Sequence, residues 1–485
     1  MGSTFDIHRS LAALALVVAQ LASGCAAPAE QLAHKSADAL DGKDAPPGEP
    51  SDEPFHAATP MRAFVARGAV ATAFAPYGGG EPGIAASPDG TLFVTFYGCD
   101  KAPDLLDAKA PPFPAQATSA YPCNHPPTFA STDDGQSWKR LNRDGDGRLA
   151  DGPASGSDPD VATDASGRAY LSTFGGGIHV YTTDDGGQTW TDRGDASTGG
   201  GDRPWIVGGP AGTAILEWNR EAGLAVRVTR DGAQTWGDVS YVGPQAHIAG
   251  RPAFYESRGV IYVPFVADPK NASITDPATL TVKVGRSDDG GATWTARDVA
   301  TFTSSALPII ALPTLAVDPD GRVFVAWSEE TTDATGTASL GARVLLATSA
   351  DRGETWSPPV QVGKSQTAIW PIALAPHAGH AMVAYYASDM MGDPSYVGRW
   401  RLEVASVDDV GSAEPKLAYE VVDPDVHAGG ICMRGAVCFA TGSDWSLRDT
   451  YAATLMRDGR IAIAYPADAV QNAKRTEIRF AVQDS

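Results

Sequence analysis

Six prolines, Pro82, Pro159, Pro204, Pro252, Pro313 and Pro371, each introduce a short apolar run, and the residues before them are Glu81, Asp158, Arg203, Arg251, Leu312 and Trp370. A seventh run, without proline, begins at Ala452 and follows Asp449 and Tyr451. Carboxylates, guanidinium groups and aromatic rings that meet at one place suit a polar, ring-shaped ligand such as a sugar. Glu81, Asp158, Asp160 and Glu217 are also the carboxylates that could form a general acid–base pair on a neutral glycan. Whether these side chains meet depends on the elements that carry them, so the organisation of the chain decides the chemistry.

A second set of oxygens lies in one loop. Asn142, Asp144, Asp146 and Gly147 match positions 1, 3, 5 and 6 of a calcium loop, with Asp151 near the end, although Pro153 stands where a bidentate Glu belongs. No cofactor is required by any motif, and calcium at this loop competes with a solvated Asp/Gly turn. His377 and His380 lack the further ligands of a zinc site, and neither a phosphate-cradling Gly loop nor a Gly-x-Ser-x-Gly elbow is present.

The 485 residues carry 58 acidic and 37 basic side chains, a net charge of −21, which opposes binding to nucleic acid through phosphate neutralisation. Gly (52), Pro (36), 11 Trp and 14 Tyr favour turn-rich β structure over long helices. At the N-terminus, Leu11 to Leu21 is apolar except for Gln20, follows His8 and Arg9, and is too short to span a bilayer. It reads as a signal peptide over residues 1–24. Leu21-Ala22-Ser23-Gly24-Cys25 resembles a bacterial lipobox, which implies lipidation of Cys25, with Ala22 where Leu is usual. Residues 25–60, rich in Ala, Pro, Glu and Asp, read as a flexible tether. The expected location is the cell envelope of a bacterium, lipid-anchored at the outer membrane or cell surface, or else secreted, with membrane contact only through the anchor. Four cysteines remain, and in an exported chain the shortest loops pair Cys99 with Cys123 and Cys432 with Cys438.

The rest of the chain, 61–485, is repetitive. The pattern Ser/Thr-x-Asp-x-Gly-x-x-Trp occurs at Ser131 to Trp138, Thr183 to Trp190, Ser287 to Trp294 and Ser349 to Trp356. A weaker copy at Thr229 to Trp236 has Ala233 in place of Gly, and Ser406 to Ser412 keeps only Ser406 and Asp408. The five tryptophans are 52, 46, 58 and 62 residues apart, a period that marks a repeat architecture. Hydroxyl and carboxylate groups can hydrogen-bond the turn's own backbone, Gly tolerates positive φ, and Trp covers the turn. Out of phase with these turns, seven openings of strand, Asp/Gly turn, strand recur, as in Pro82 to Val94 and Pro313 to Val325.

The eight-residue pattern resembles the Asp-box, or BNR repeat, of the sialidase-like superfamily, whose fold is a β-propeller. The resemblance implies an all-β chain of four-stranded blades. Seven openings predict seven blades, with six, as in sialidases, the alternative. The seventh opening is followed by only one more strand, and the stretch from Met61 to Ala75 can supply the missing outer one. In that fold the inner strands start at one face, so the residues before the prolines, Glu81, Asp158, Arg203, Arg251 and Trp370, with Asp160, should converge as a substrate-binding funnel. Asp449-Thr450-Tyr451-Ala452 is similar to the C-terminal segment of bacterial sialidases, which implies Tyr451, beside Asp449, as a nucleophile activated by a Glu; Glu217, on the second strand of the third unit, is the candidate for that carboxylate by its depth alone. The same resemblance implies an Arg in a Phe/Tyr-Arg-Ile-Pro motif, and here Gly80-Glu81-Pro82 replaces it. The expectation is therefore a monomeric glycan- or polysaccharide-recognising surface protein whose catalysis is unproven. An exo-glycosidase of sialidase type and a scaffold that binds a surface protein are the rivals, since fold likeness does not choose among them.

Overall fold

Strands with nearly every residue buried, such as Val260–Ala267 and Leu92–Tyr97, are what the continuous apolar runs produce when a sheet is covered on both faces. A computed structural model describes residues 61–72, 80–97, 126–141 and 157–484, apart from short stretches within the last range, of which 269–277 and 433–443 are the longest. The 1–24 leader, the 25–60 tether, Cys25, Cys99, Cys123, Cys438, Asn142, Asp144, Asp146, Asp151 and Asp449 lie outside the described residues. All described residues belong to one unit, His56–Ser485.

Seven antiparallel sheets form a seven-bladed propeller. Blades 1 to 7 begin with the inner strands Gly80–Ala86, Ser157–Thr163, Asp202–Gly208, the pair Ala246–Ala249 and Ala253–Tyr255, Thr314–Val317, Thr367–His377, and Ala452–Leu455. The split inner strand makes blade 4 five-stranded by count; the others have four strands. Each inner strand packs on the next around the ring, and that of blade 7 returns to that of blade 1. Phe64–Thr72 is the outer strand of blade 7 and pairs antiparallel with Asn472–Gln483, with Val65 opposite Val482 and Ala71 opposite Ile478. The seven openings and the closing strand are as the sequence implies, and the six-bladed alternative is excluded.

The repeated turn has one hydrogen-bond scheme in five blades. In blade 4, Ser287 Oγ donates to Asp289 Oδ1 at 2.7 Å and accepts from the Gly291 N–H at 2.8 Å; Asp289 also accepts from the Thr293 N–H at 2.9 Å and from its hydroxyl at 2.5 Å. The same bonds join Ser131, Asp133 and Ser137; Thr183, Asp185 and Thr189; Thr229, Asp231 and Thr235; and Ser349, Asp351 and Thr355. A hydroxyl at the seventh position is thus part of the motif, although the eight-residue pattern left that place unspecified. Its bond, with that of the backbone N–H beside it, holds Asp133, Asp231 and Asp351 down to about 2. Ala233, at φ +63, keeps the turn in the weaker copy. In the degenerate copy Asp408 instead meets His380 Nδ1 at 2.5 Å.

Each of these turns also seals a junction between blades. Trp294 packs against Val226 and Val242 of blade 3 as well as Val263 and Phe265 of blade 4, and its indole N–H donates to Ser240 Oγ of blade 3 at 2.9 Å. Trp138 sets its ring edge-on to Phe480 of blade 7, with centroids 5.1 Å apart. Trp294 is half-buried, because its outer edge faces solvent at the rim. Replacing it by Ala should destabilise the protein by about 2–3 kcal/mol, at or just under the lower end expected for loss of a large aromatic. Thermal melting of the purified variant measures this, and an unchanged midpoint would contradict the sealing role.

Candidate functional site

The inner strands do not begin as regular β structure. Glu81, Asp158, Arg203 and Trp370, each just before its proline, have φ of +51°, +47°, +54° and +52°. The ladder slips at the same places, between Gly80 and Gly83, Ser157 and Asp160, Asp202 and Trp205, and Ile369 and Ile372. A residue before proline prefers extended backbone, and a side chain at positive φ costs on the order of 1–3 kcal/mol. Four such bulges at one end of the ring re-aim four side chains, and strain of this kind clusters at functional sites.

At blades 1 and 2 the re-aimed groups are acidic, and at blade 3 the re-aimed Arg203 follows the acidic Asp202. Burial, followed by the charges of the neighbouring Glu81 and Asp202, pushes the Asp158 pKa well up, and its Oδ2 accepts from the Arg203 N–H at 3.4 Å. Raised in this way, Asp158 keeps its proton to higher pH than a free carboxyl group does. Glu81 is 8% exposed, whereas the Asp202 side chain is 57% exposed and marks the open side. Arg203 Nη1 lies 3.8 Å from Asp202 Oδ2. Asp202 is missing from the expected site, although it stands one residue before Arg203 in the same Asp-Arg-Pro opening.

Glu217 closes the buried side. It sits directly opposite Trp205 on the second strand of blade 3, across from the bulge at Arg203 and Pro204, and it is fully buried. Neither carboxylate oxygen accepts a hydrogen bond. Burial pushes its pKa well up; Arg203 partly offsets this and Asp202 adds to it.

Arg251 belongs to a separate pair. Its Nε and Nη2 meet Asp160 Oδ1 at 3.1 and 2.9 Å, and its guanidinium lies 4.7 Å over the Trp205 ring. Asp160, in turn, accepts the N–H groups of Val161 and Ile206 at 3.0 and 3.1 Å. This buried carboxylate therefore ties blades 2, 3 and 4 together and neutralises Arg251.

The aromatic groups gather at blades 6 and 7. Tyr386 lies 4.8 Å from Tyr451 and 6.3 Å from Trp370 between ring centroids. Both Tyr451 and Trp370 are fully buried, and Tyr451 Oη and Trp370 Nε1 have no hydrogen-bond partner. Burial alone drives the Tyr451 pKa far up. A tyrosine nucleophile needs the opposite, a base at its hydroxyl, and Glu217 is three blades away. A central cavity of about 380 Å³ touches all seven inner strands, with Ile84, Val161, Leu315 and Tyr451 in its wall beside Thr163, Arg251 and Thr450. The structure thus sets Asp158 near Glu81 and Asp202, and Arg203 near Asp202 and Glu217; it separately joins Asp160 to Arg251 and packs Tyr451 and Trp370 around Tyr386. Among the described residues, no group of three or more His, Cys, Asp and Glu side chains is placed to hold a metal ion.

No family model and no curated protein matches the chain. Among solved structures, a protein of unknown function from Dyadobacter fermentans is similar at 14% identity, over 87% of this chain and 98% of that one, with a TM-score of 0.50. An α-L-arabinofuranosidase from Fusarium graminearum in complex with an iminosugar inhibitor shares 15% identity over 73% of this chain and 97% of its own, with a TM-score of 0.41. A leech intramolecular trans-sialidase shares 14% over 88% and 70%, with a TM-score of 0.39. At these identities the likeness is one of fold.

The buried Glu217 gives the site a pH signature. Its folded pKa is raised, so the native state binds the proton more tightly than the unfolded chain does. Its contribution is therefore complete below the unfolded value of about 4.3 and is lost as pH rises from there towards the folded value. Glu217→Gln removes this loss. The variant should melt together with the wild type at about pH 4 and increasingly above it as pH rises to 8; a constant difference across that range would show that Glu217 does not titrate in this way.

Proposed function

We propose that this protein is an exported, glycan-recognising propeller that binds its ligand at the end of the central cavity where the inner strands begin. The observation that carries the reading is the set of strained bulges that open the inner strands and bring Glu81, Asp158 and Asp202 to the same end of the ring as Trp370 and Tyr451. Carboxyl groups accept hydrogen bonds from sugar hydroxyls, and ring faces take the apolar side of a pyranose. The Cys25 anchor and envelope location are part of the proposal and rest on the leader sequence alone.

The charges favour a ligand without a carboxylate. Glu81 stands where the sialidase motif has Arg, and Arg251 is committed to Asp160. An acidic sugar placed beside the trio would meet repulsion where that motif supplies a bidentate clamp. Recognition is favoured over hydrolysis because the Tyr451 hydroxyl has no hydrogen-bond partner and so no base to activate it.

The rival enzyme reading, a sialidase-type hydrolase acting through Tyr451, is open to direct test. Release of a fluorescent aglycone from an aryl sialoside should be absent in both wild type and Tyr451→Phe. A glycan array should show binding to sugars lacking a carboxylate. Efficient sialoside turnover that Tyr451→Phe abolishes would overturn this reading in favour of the enzyme.

The segment leading to Tyr451 is part of the same proposal. Cys432 is fully buried, and its N–H donates to the Asp444 carbonyl at 2.8 Å. Pairing of Cys432 with Cys438 would shape this approach to blade 7. Non-reducing peptide mapping of protein exported under oxidising conditions should recover the linked pair, and free thiols at both positions would contradict it.

A further inference from the structure

His427 is enclosed by hydrogen-bond acceptors on both sides of its ring. It lies near the end of Lys416–Ala428, the outer strand of blade 6, and is 3% exposed. Its Nδ1 is 2.9 Å from Oδ1 of Asp468, on Ile461–Ala469 of blade 7. The other oxygen of Asp468 accepts the Ala428 N–H at 3.1 Å, so this carboxylate also grips the end of the blade 6 strand. On the opposite side, His427 Nε2 is 3.3 Å from the Gly430 carbonyl and 3.5 Å from Asp444 Oδ2. A carbonyl and a carboxylate can only accept, and a neutral imidazole has a single N–H. Both sides are therefore satisfied together only when each ring nitrogen carries a proton. Asp468 and Asp444 are the charged groups that face the ring among the described residues. Arg479, from Asn472–Gln483 of blade 7, is occupied by Asp423, Glu477 and the carbonyls of Asp425 and Asp468. Trp400, directly opposite His427 on the neighbouring strand, is uncharged.

We propose that His427 is a pH-sensitive clasp, whose imidazolium ties blade 6 to Asp468 of blade 7 and to Asp444, and whose loss of a proton releases Asp444. The Asp444 side is the one that gives way. Its side chain is 41% exposed against 20% for Asp468, and its contact to the ring is the longer one. When the proton leaves, the remaining N–H stays at Nδ1 with Asp468, and Nε2 turns a lone pair towards the Gly430 carbonyl and the Asp444 carboxylate. Acceptor then faces acceptor. Cys432 is coupled to the release, because its N–H donates to the Asp444 carbonyl at 2.8 Å. Asp444 stands seven positions before Tyr451, which lines the central cavity with Thr450, so the clasp acts on the stretch that enters the cavity wall. Burial is the largest influence on the ring and lowers its pKa, yet Asp468, Asp444 and the Gly430 carbonyl together carry it above the ordinary value of about 6.5. The folded state thus holds the proton more tightly than the unfolded chain does. The contribution of the clasp is complete below about pH 6.5 and is lost as pH rises through the folded value.

Two measurements on the full exported protein, from about pH 5.5 to about pH 8.5, test the clasp. The first is thermal melting of wild type beside His427→Gln. The wild type should melt above the variant at the acidic end, with the difference shrinking as pH rises; a difference that is constant or grows would overturn the proposal. The second is hydrogen exchange at the Cys432 amide, expressed as protection relative to an unstructured peptide at the same pH. Protection in the wild type should fall by about tenfold across the range, the loss expected when a charge-assisted bond is removed. Asp444→Asn, at an exposed position that keeps the fold safe, should show the low protection at every pH, and it decides the matter by itself where His427→Gln does not fold. Protection that does not change with pH in the wild type, or a wild-type pH profile retained in Asp444→Asn, would overturn the clasp.

Discussion

The ring exists because one strand crosses from the beginning of the folded chain to its end. Phe64–Thr72 completes blade 7 by pairing with Asn472–Gln483, and the Phe64 N–H also reaches Glu420 Oε1 of blade 6 at 2.7 Å. Without that strand, blade 7 would expose an unpaired edge, and the lateral packing that joins it to blades 6 and 1 would lose its outer half. Closure also fixes the site. The residues around the cavity come from seven different inner strands, and only a closed ring holds them at one radius.

Stability and strain are separated in space. The rim carries five turns whose hydroxyl and carboxylate groups bond one another and the turn backbone and whose tryptophans fill the junctions between blades. The inner end holds the costly features, including left-handed residues ahead of prolines, a carboxylate without hydrogen bonds, and a buried tyrosine hydroxyl and indole N–H without partners. A well-packed rim can tolerate these costs.

Charge distribution shapes the functional reading more than the identity of single residues does. Arg251 has the position of a ligand-binding cation yet is bound by Asp160 and stacked on Trp205, so it serves as a clamp between blades. Arg203 is set among carboxyl groups. Acidic groups therefore gather where the inner strands of blades 1 to 3 begin, and buried aromatic rings where those of blades 6 and 7 begin. This arrangement differs in sign from a site built to hold a sugar acid.

The architecture was legible in the residues because a propeller repeats a local pattern. The Ser/Thr-x-Asp turns, the Asp/Gly hairpins and the opening prolines each depend on interactions within a few residues, so their number and spacing expose seven units, and the one missing strand points to Met61 to Ala75. Glu81, Asp158, Arg203 and Trp370 were likewise recognisable, since all precede an opening proline. Their pairings were not. That Asp160 takes Arg251 from two blades away, that Asp202 completes the trio, that Glu217 is buried without hydrogen bonds, and that Tyr451 lies against Tyr386 and far from Glu217 all depend on distances between blades. Bulges at the strand starts and packing across junctions set those distances. They are contacts between residues tens to hundreds of positions apart, and no local periodicity encodes which carboxylate finds a cation and which does not.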